Sequence, residues 1–296
     1  MENLFDLLNS SASEVMCNCR TKYKKLSDGS LQPVEIMVCD RLIFNPCGAR
    51  LSELSRNIDA RLAYEAAARE LINGELPASG SYVPLPTPPE EKLARSMRRA
   101  KAAVNDIIMA NDFDCFVTLT LDKRKIDRED YDAIMRRLNV FLDNRVRRRG
   151  LRYVGVPERH KNGGFHFHFL CNSDALALVD SGTVSCKGHK KPIKISTADR
   201  LHIPASDRHA VYNVSDWSLG FSTAIHTYGC AAAVANYVGK YITKGAEKIG
   251  GRWYYSGGKL ERLVCRYDSV SFDSFSGYSY DFSCDGGHFK VLKFDL

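Results

Sequence analysis

Several things are missing from this sequence, and each absence narrows what the chain can be. No apolar run approaches the roughly 18 residues that a membrane-spanning helix needs. No Gly-x4-Gly-Lys-Ser/Thr segment occurs, so a phosphate-cradling loop of the helicase type is not expected. The ten cysteines are scattered rather than framed. Cys17, Cys19, Cys39 and Cys47 lack the C-x2-C spacing of a zinc knuckle, so buried free thiols are the better reading than a metal site. The first residues, Met1 to Asp6, are acidic and polar, so a secretory leader is not expected either. Reduced thiols and a cytoplasmic location follow as expectations. No internal repeat is visible.

What the chain does have is an ordinary globular composition, 44% hydrophobic over 296 residues, and a net charge of +7. A mild basic excess is compatible with a polyanionic partner without requiring one. The most informative stretch is Gly164-Phe165-His166-Phe167-His168-Phe169-Leu170. Alternate side chains of a strand point to opposite faces, so His166 and His168 share one face and the phenylalanines anchor the other. Two imidazoles one strand step apart suit a metal ion, but the pair alone is a weak signal in a chain with eight histidines. Asn162-Gly163 marks a hairpin before this strand. An odd-numbered loop would set Glu158 opposite His166, and a two-residue loop would set Arg159 there. A carboxylate completes a metal site and a guanidinium cannot, which favours Glu158. His189, His202, His209 and His226 show no ligand spacing.

Around this strand the periodicity predicts a mixed pattern. A helix is expected over 49–73, then a stiff proline-rich linker over 77–89. A capped helix should follow to about Ala110, with Arg98 and Arg99 on a basic face. Residues 115–121 read as a strand placing Phe116, Thr118 and Thr120 on one face. Asp127 is expected to cap a helix running to Gly150, whose basic end includes Arg148. Strands are expected over 151–157 and 164–171, a small helix over 174–180 and a final edge strand over 289–294. Trp217 and Phe221 fit either a core or a base-stacking role. Over 229–244 the pattern is helical, and Tyr237, Lys240, Tyr241 and Lys244 fall on one face. Ala233, Val234, Val238 and Ile242 can supply its buried side.

Read as chemistry, a His–His–carboxylate site could polarise a phosphate oxygen. A tyrosine could then attack phosphorus and conserve the phosphodiester energy as phosphotyrosine, with adjacent lysines offsetting charge. At this point three stretches resemble motifs I, II and III of the HUH endonuclease superfamily, in the same order. They are Phe116-Val117-Thr118-Leu119-Thr120-Leu121-Asp122, His166-Phe167-His168 and Tyr237-Val238-Gly239-Lys240-Tyr241. The two tyrosines resemble the arrangement in rolling-circle replication initiators of small single-stranded DNA phages and related plasmids or prophages. The resemblance covers about residues 95–260.

It implies an α+β fold in which helices flank a central antiparallel sheet with a ferredoxin-like core. The endonuclease domain would span 89–265, after a mostly helical N-terminal extension over 1–88 and before a C-terminal tail over 266–296. The implied activity is metal-dependent nicking and rejoining of single-stranded DNA at an origin, in concert with a host helicase and DNA polymerase. By resemblance, His166, His168 and Glu158 hold Mg2+ or Mn2+, and Tyr237 and Tyr241 are nucleophiles. Lys240 and Lys244 would meet the phosphate, and Thr118, Thr120, Arg98, Arg99 and Arg148 are candidate DNA contacts. A relaxase or transposase of the same superfamily, a metal hydrolase, and a plain single-stranded nucleic-acid binder using Phe167-type stacking are the alternatives.

Overall fold

The structure is a computed structural model that describes residues 17–44, 89–127, 130–159, 164–228, 231–244, 248–275, 280–284 and 287–294. Its elements run β1 (Cys19–Lys25), β2 (Leu31–Cys39), α1 (Pro89–Ala110), β3 (Cys115–Leu121), α2 (Tyr131–Arg149), β4 (Tyr153–Arg159), β5 (Phe165–Cys171), β6 (Leu178–Cys186), β7 (Ile193–Lys194), α3 (Ile195–Arg200), β8 (Arg208–Val214), β9 (Gly220–His226), α4 (Ala231–Lys244), β10 (Tyr255–Gly257), β11 (Val264–Asp268), β12 (Tyr280–Cys284) and β13 (Gly287–Lys293). The architecture is α+β with two antiparallel sheets. It divides into two units: the described residues up to Leu93 with Val264–Phe294, and Ala94–Leu263.

The second unit is built on an eight-stranded sheet of order β10-β4-β5-β3-β9-β8-β6-β7. Its central strands alternate as a half-covered sheet must. In β3, Cys115, Val117, Leu119 and Leu121 are buried, while Phe116, Thr118 and Thr120 are half-buried on the other side. In β5, Phe165, Phe167 and Phe169 are all but inaccessible on the same side as Val117 and Leu119. These side chains meet the apolar stripe of α2, made by Ile134, Met135, Leu138 and Leu142. Each fully buried aliphatic contributes about 1.5–3 kcal/mol. Phe169 also needs room over β4: a Cβ on Gly155 would stand 2.0 Å from its ring. The opposite face carries α1 and α4. Ala100, Val104 and Ile108 of α1 and Ala235, Val238 and Ile242 of α4 cluster on Val154, Val156 and Leu170.

The structure corrects three local expectations. The cap of α2 is Asp130, not Asp127: its side chain accepts from Ala133 N at 2.9 Å, and that register puts Ile134 and Leu138 on the core. The helix stops at Gly150, whose φ of 68° is the left-handed geometry glycine tolerates. The small helix over 174–180 is a single turn at Ser173–Ala175, after which the chain extends into β6. The final strand is interior rather than an edge, because β13 lies between β2 and β12.

The first unit is a five-stranded sheet of order β11-β1-β2-β13-β12, drawn from both ends of the described chain. A mostly helical N-terminal extension is therefore not what residues 19–39 form. Asp28-Gly29 turns a hairpin: Asp28 Oδ1 accepts from Ser30 N at 2.8 Å and Gly29 has φ 84°. Asn18 fastens its open end, donating to Cys39 O and Val270 O and accepting from Val270 N. The helix expected over 49–73, the linker over 77–88 and the start signal at Thr87-Pro88 lie outside the described residues. Among the described cysteines seven are free thiols, five of them buried.

Candidate active site

The site is assembled by rows across the antiparallel strands, because directly paired residues share a face. Glu158 pairs with His166, and His166 pairs with Thr120. One step along, Val156 pairs with His168 and His168 with Thr118. The connection between β4 and β5 is the odd-numbered one, residues 160–164, so Glu158 faces His166. Arg159 falls on the other side, with its guanidinium 4.8 Å from the centre of the Phe165 ring.

His168 is held at every edge. Its Nε2 lies 2.8 Å from Glu158 Oε2, and its Nδ1 lies 3.1 Å from Thr118 Oγ1. Only 6% of the residue is exposed. The Tyr241 ring stacks on the imidazole, with centroids 3.9 Å apart and planes 23° apart. Phe116 completes the bed. It lies parallel to His168 at 5.9 Å and meets the edge of Tyr237 at 5.4 Å. Helix α4 thus brings its tyrosines onto the histidine strand because Ala235, Val238 and Ile242 are drawn into the core beside Val156 and Leu170.

The two phenols differ. Tyr241 donates to Tyr237 Oη at 2.8 Å. Burial raises the Tyr241 pKa above its ordinary value, and the bond to Tyr237 and the nearby Glu158 carboxylate push it the same way. Tyr237 is 47% exposed. Lys240 is exposed on the same helix; the side chain of Lys244 lies outside the described residues. Asp122, just past the end of β3, accepts two bonds from Arg124 Nε and one from Nη2, which holds its carboxyl down at about 2.

Glu158, His166 and His168 make a donor set suited to a divalent cation. Among the described residues, however, no group of three or more His, Cys, Asp or Glu side chains converges closely enough to hold one. The His166 and His168 rings are 6.3 Å apart and tilted by 35°, and Glu158 is engaged with His168. Metal binding therefore requires the Glu158–His168 bond to be exchanged for bonds to the ion.

The other residues singled out from the sequence are dispersed. Arg98 and Arg99 are on α1, which packs on the same side of the sheet as α4. Arg148 is exposed on α2, on the opposite side from the tyrosines. Thr118, expected to meet DNA, bonds His168 instead. Phe167 is fully buried on the α2 side and offers nothing to a base. His209 stacks on Tyr228 at 3.7 Å, away from this row. Phe116 was legible only as a residue on the right face. Its contact with both tyrosines depends on where α4 lands, which no local pattern encodes.

A comparison with protein families matches residues 114–246 to the family described as replication-associated protein ORF2. Comparisons with curated proteins and with solved structures return no match. The matched segment runs from the start of β3 to just past α4 and includes Phe116, Thr118, Glu158, both strand histidines and both helix tyrosines, so this domain belongs to the ORF2 family of replication-associated proteins.

Proposed function

We propose that this domain is the nicking and rejoining centre of a rolling-circle replication initiator, with Tyr237 and Tyr241 as nucleophiles toward single-stranded DNA. One observation carries the reading: the Tyr241 ring lies against His168, with the Tyr237 oxygen one hydrogen bond further on. A phosphate can then touch a phenol and the histidine strand at once.

In the first transfer the Tyr237 oxygen forms a bond to phosphorus, and the bond from phosphorus to the departing 3′ oxygen breaks. The phenol loses its proton and the 3′ oxygen gains one, which leaves a 5′-phosphotyrosine and a free 3′ hydroxyl. Tyr237 is the better first nucleophile. It is the more exposed, and its oxygen accepts a bond from Tyr241, which favours the phenolate on Tyr237. Tyr241 is held protonated against His168 and is available for the second transfer, once the first phenol is occupied. Lys240 adds positive charge on the same helix face.

His166, His168 and Glu158 would hold Mg2+ or Mn2+, which when bound supplies Lewis-acid polarisation of a phosphate oxygen. For His168 Nε2 to ligate, its proton must sit on Nδ1 and be donated to Thr118 Oγ1. Thr118 is thus a positioning residue. The first phenol and the phosphate carry the chemistry.

The test is incubation of the protein with circular single-stranded DNA in Mn2+, followed by denaturing electrophoresis and mapping of the modified residue. A covalent adduct on Tyr237 in the native protein is expected, with a residual adduct on Tyr241 in Tyr237→Phe and none in the double variant. An adduct that persists in the double variant sinks the assignment. A plain single-stranded DNA binder would shift the DNA without any adduct.

A further inference from the structure

Of the two aromatics that the sequence left between core and ligand, Trp217 and Phe221, the structure separates the roles. Trp217 is 5% exposed and spends its indole N–H on Thr120 O at 3.2 Å. Phe221 is 63% exposed although it lies in β9, in the interior of a sheet. A single exposed apolar side chain is unremarkable in itself. Its position is what matters. Thr120 pairs with His166 on one side and with Phe221 on the other, so Glu158, His166, Thr120 and Phe221 form one row on one face. Adjacent strands lie about 4.8 Å apart, which puts Phe221 about 10 Å from His166. At roughly 3.4 Å or more per nucleotide, that is a reach of two to three nucleotides along a strand.

The platform is stiff. Asp122 N donates to Leu219 O at 2.9 Å, and the Trp217 bond to Thr120 anchors the chain just before β9. At Gly220 the strands approach so closely that a Cβ would stand 2.0 Å from Thr120 O. Phe221 is therefore held in register with the histidine row. Beside it, the turn after β3 displays Lys123, Arg124 and Lys125. An exposed ring with flanking cations is what a single-stranded nucleic acid uses: a base stacks on the ring and phosphates meet the charges.

We infer that Phe221 is a base-stacking anchor for the DNA strand leading to the nick, with Lys123, Arg124 and Lys125 following its phosphates. This rests on the nicking reading above and adds to it the path of the strand: across Thr120, away from Tyr237. The path is open because α1 and α4 cover the sheet over Val154, Val156 and Leu170 rather than over this row.

The experiment uses the full chain carrying Tyr237→Phe and Tyr241→Phe, so that binding is read without covalent attachment. The probe is an unstructured oligonucleotide containing 2-aminopurine. Phe221→Val keeps a β-forming residue and removes the ring. It is expected to weaken binding about tenfold, in the range seen for loss of one stacked base, and to abolish quenching of the probe. Phe221→Trp should retain both. Lys123→Ala with Lys125→Ala should leave quenching intact and lower the slope of log affinity against log salt by about 1.4, the value for two single-strand phosphates. Unchanged affinity and quenching in Phe221→Val, with circular dichroism showing a folded chain, would overturn the inference. The nicking reading is scored separately. A Phe221→Val chain with both tyrosines intact still forms an adduct at saturating DNA if that reading is right, whatever the stacking result.

Discussion

Replacing Thr118 by Val removes one oxygen and keeps the β-branched shape, so the strand is undisturbed while His168 loses its Nδ1 partner. The imidazole cannot turn to water for a replacement, since it is 6% exposed and pinned between Glu158 and the Tyr241 ring. An unsatisfied buried polar atom costs about 1–3 kcal/mol. The loss falls on the native state, so urea denaturation should show it in full. The effect on metal is separable. With Nδ1 no longer directed to a hydroxyl, the tautomer that frees Nε2 for a cation is no longer selected. Outer-sphere partners of this kind are worth about 10–100-fold in metal affinity. Titration of Mn2+ followed by calorimetry should therefore show a Thr118→Val chain binding one to two orders of magnitude more weakly, and Thr118→Ser should recover most of the difference. If Mn2+ affinity is the same in Thr118→Val and in the native chain, His168 Nε2 is not a ligand and the metal role of this row fails.

Three other outcomes are expected. Gly155→Ala drives a methyl into the Phe169 ring and should cost at least about 1–3 kcal/mol of overpacking, seen as a fall of several degrees in Tm; an unchanged Tm would mean that Phe169 moves freely. For Tyr241, burial raises the folded-state pKa above the unfolded value near 10. The stabilisation of its neutral form is then fully present below about pH 10 and is lost as pH rises beyond it. Denaturant midpoints of the native chain should fall between about pH 10 and 11 more steeply than those of Tyr241→Phe; parallel curves would remove the argument. EDTA should stop adduct formation while leaving oligonucleotide affinity within about twofold, and an equal collapse of binding would make the metal structural.

Much of the second unit was open to inspection before any coordinates. Alternation in Cys115–Leu121 and Phe165–Cys171 was enough to sort the threonines and histidines from the core, because a strand offers only two faces. Spacing on Ala231–Lys244 put Tyr237 and Tyr241 on one side of a helix. The first unit was read poorly. Its hairpin signal, Asp28-Gly29 between runs of β-formers, was present in the sequence. But a sheet closed by residues 264–293 gains its stability from pairing between opposite ends of the described chain, and no window of sequence contains both partners.

The amino-acid sequence by itself determined which side chains share a face, since that depends only on the pitch of a strand or a helix. Tertiary packing decided which faces meet. The odd-numbered β4–β5 connection set Glu158 opposite His166 rather than leaving Arg159 there. The apolar side of α4, docking on Val156 and Leu170, carried Tyr241 onto His168. The pairing of β9 with β3 left Phe221 bare in the histidine row while sinking Trp217 into the core. Each of these outcomes turns on a register or a docking position, and those are chosen by burial and hydrogen-bond satisfaction summed over the whole domain, not by any local run of residues.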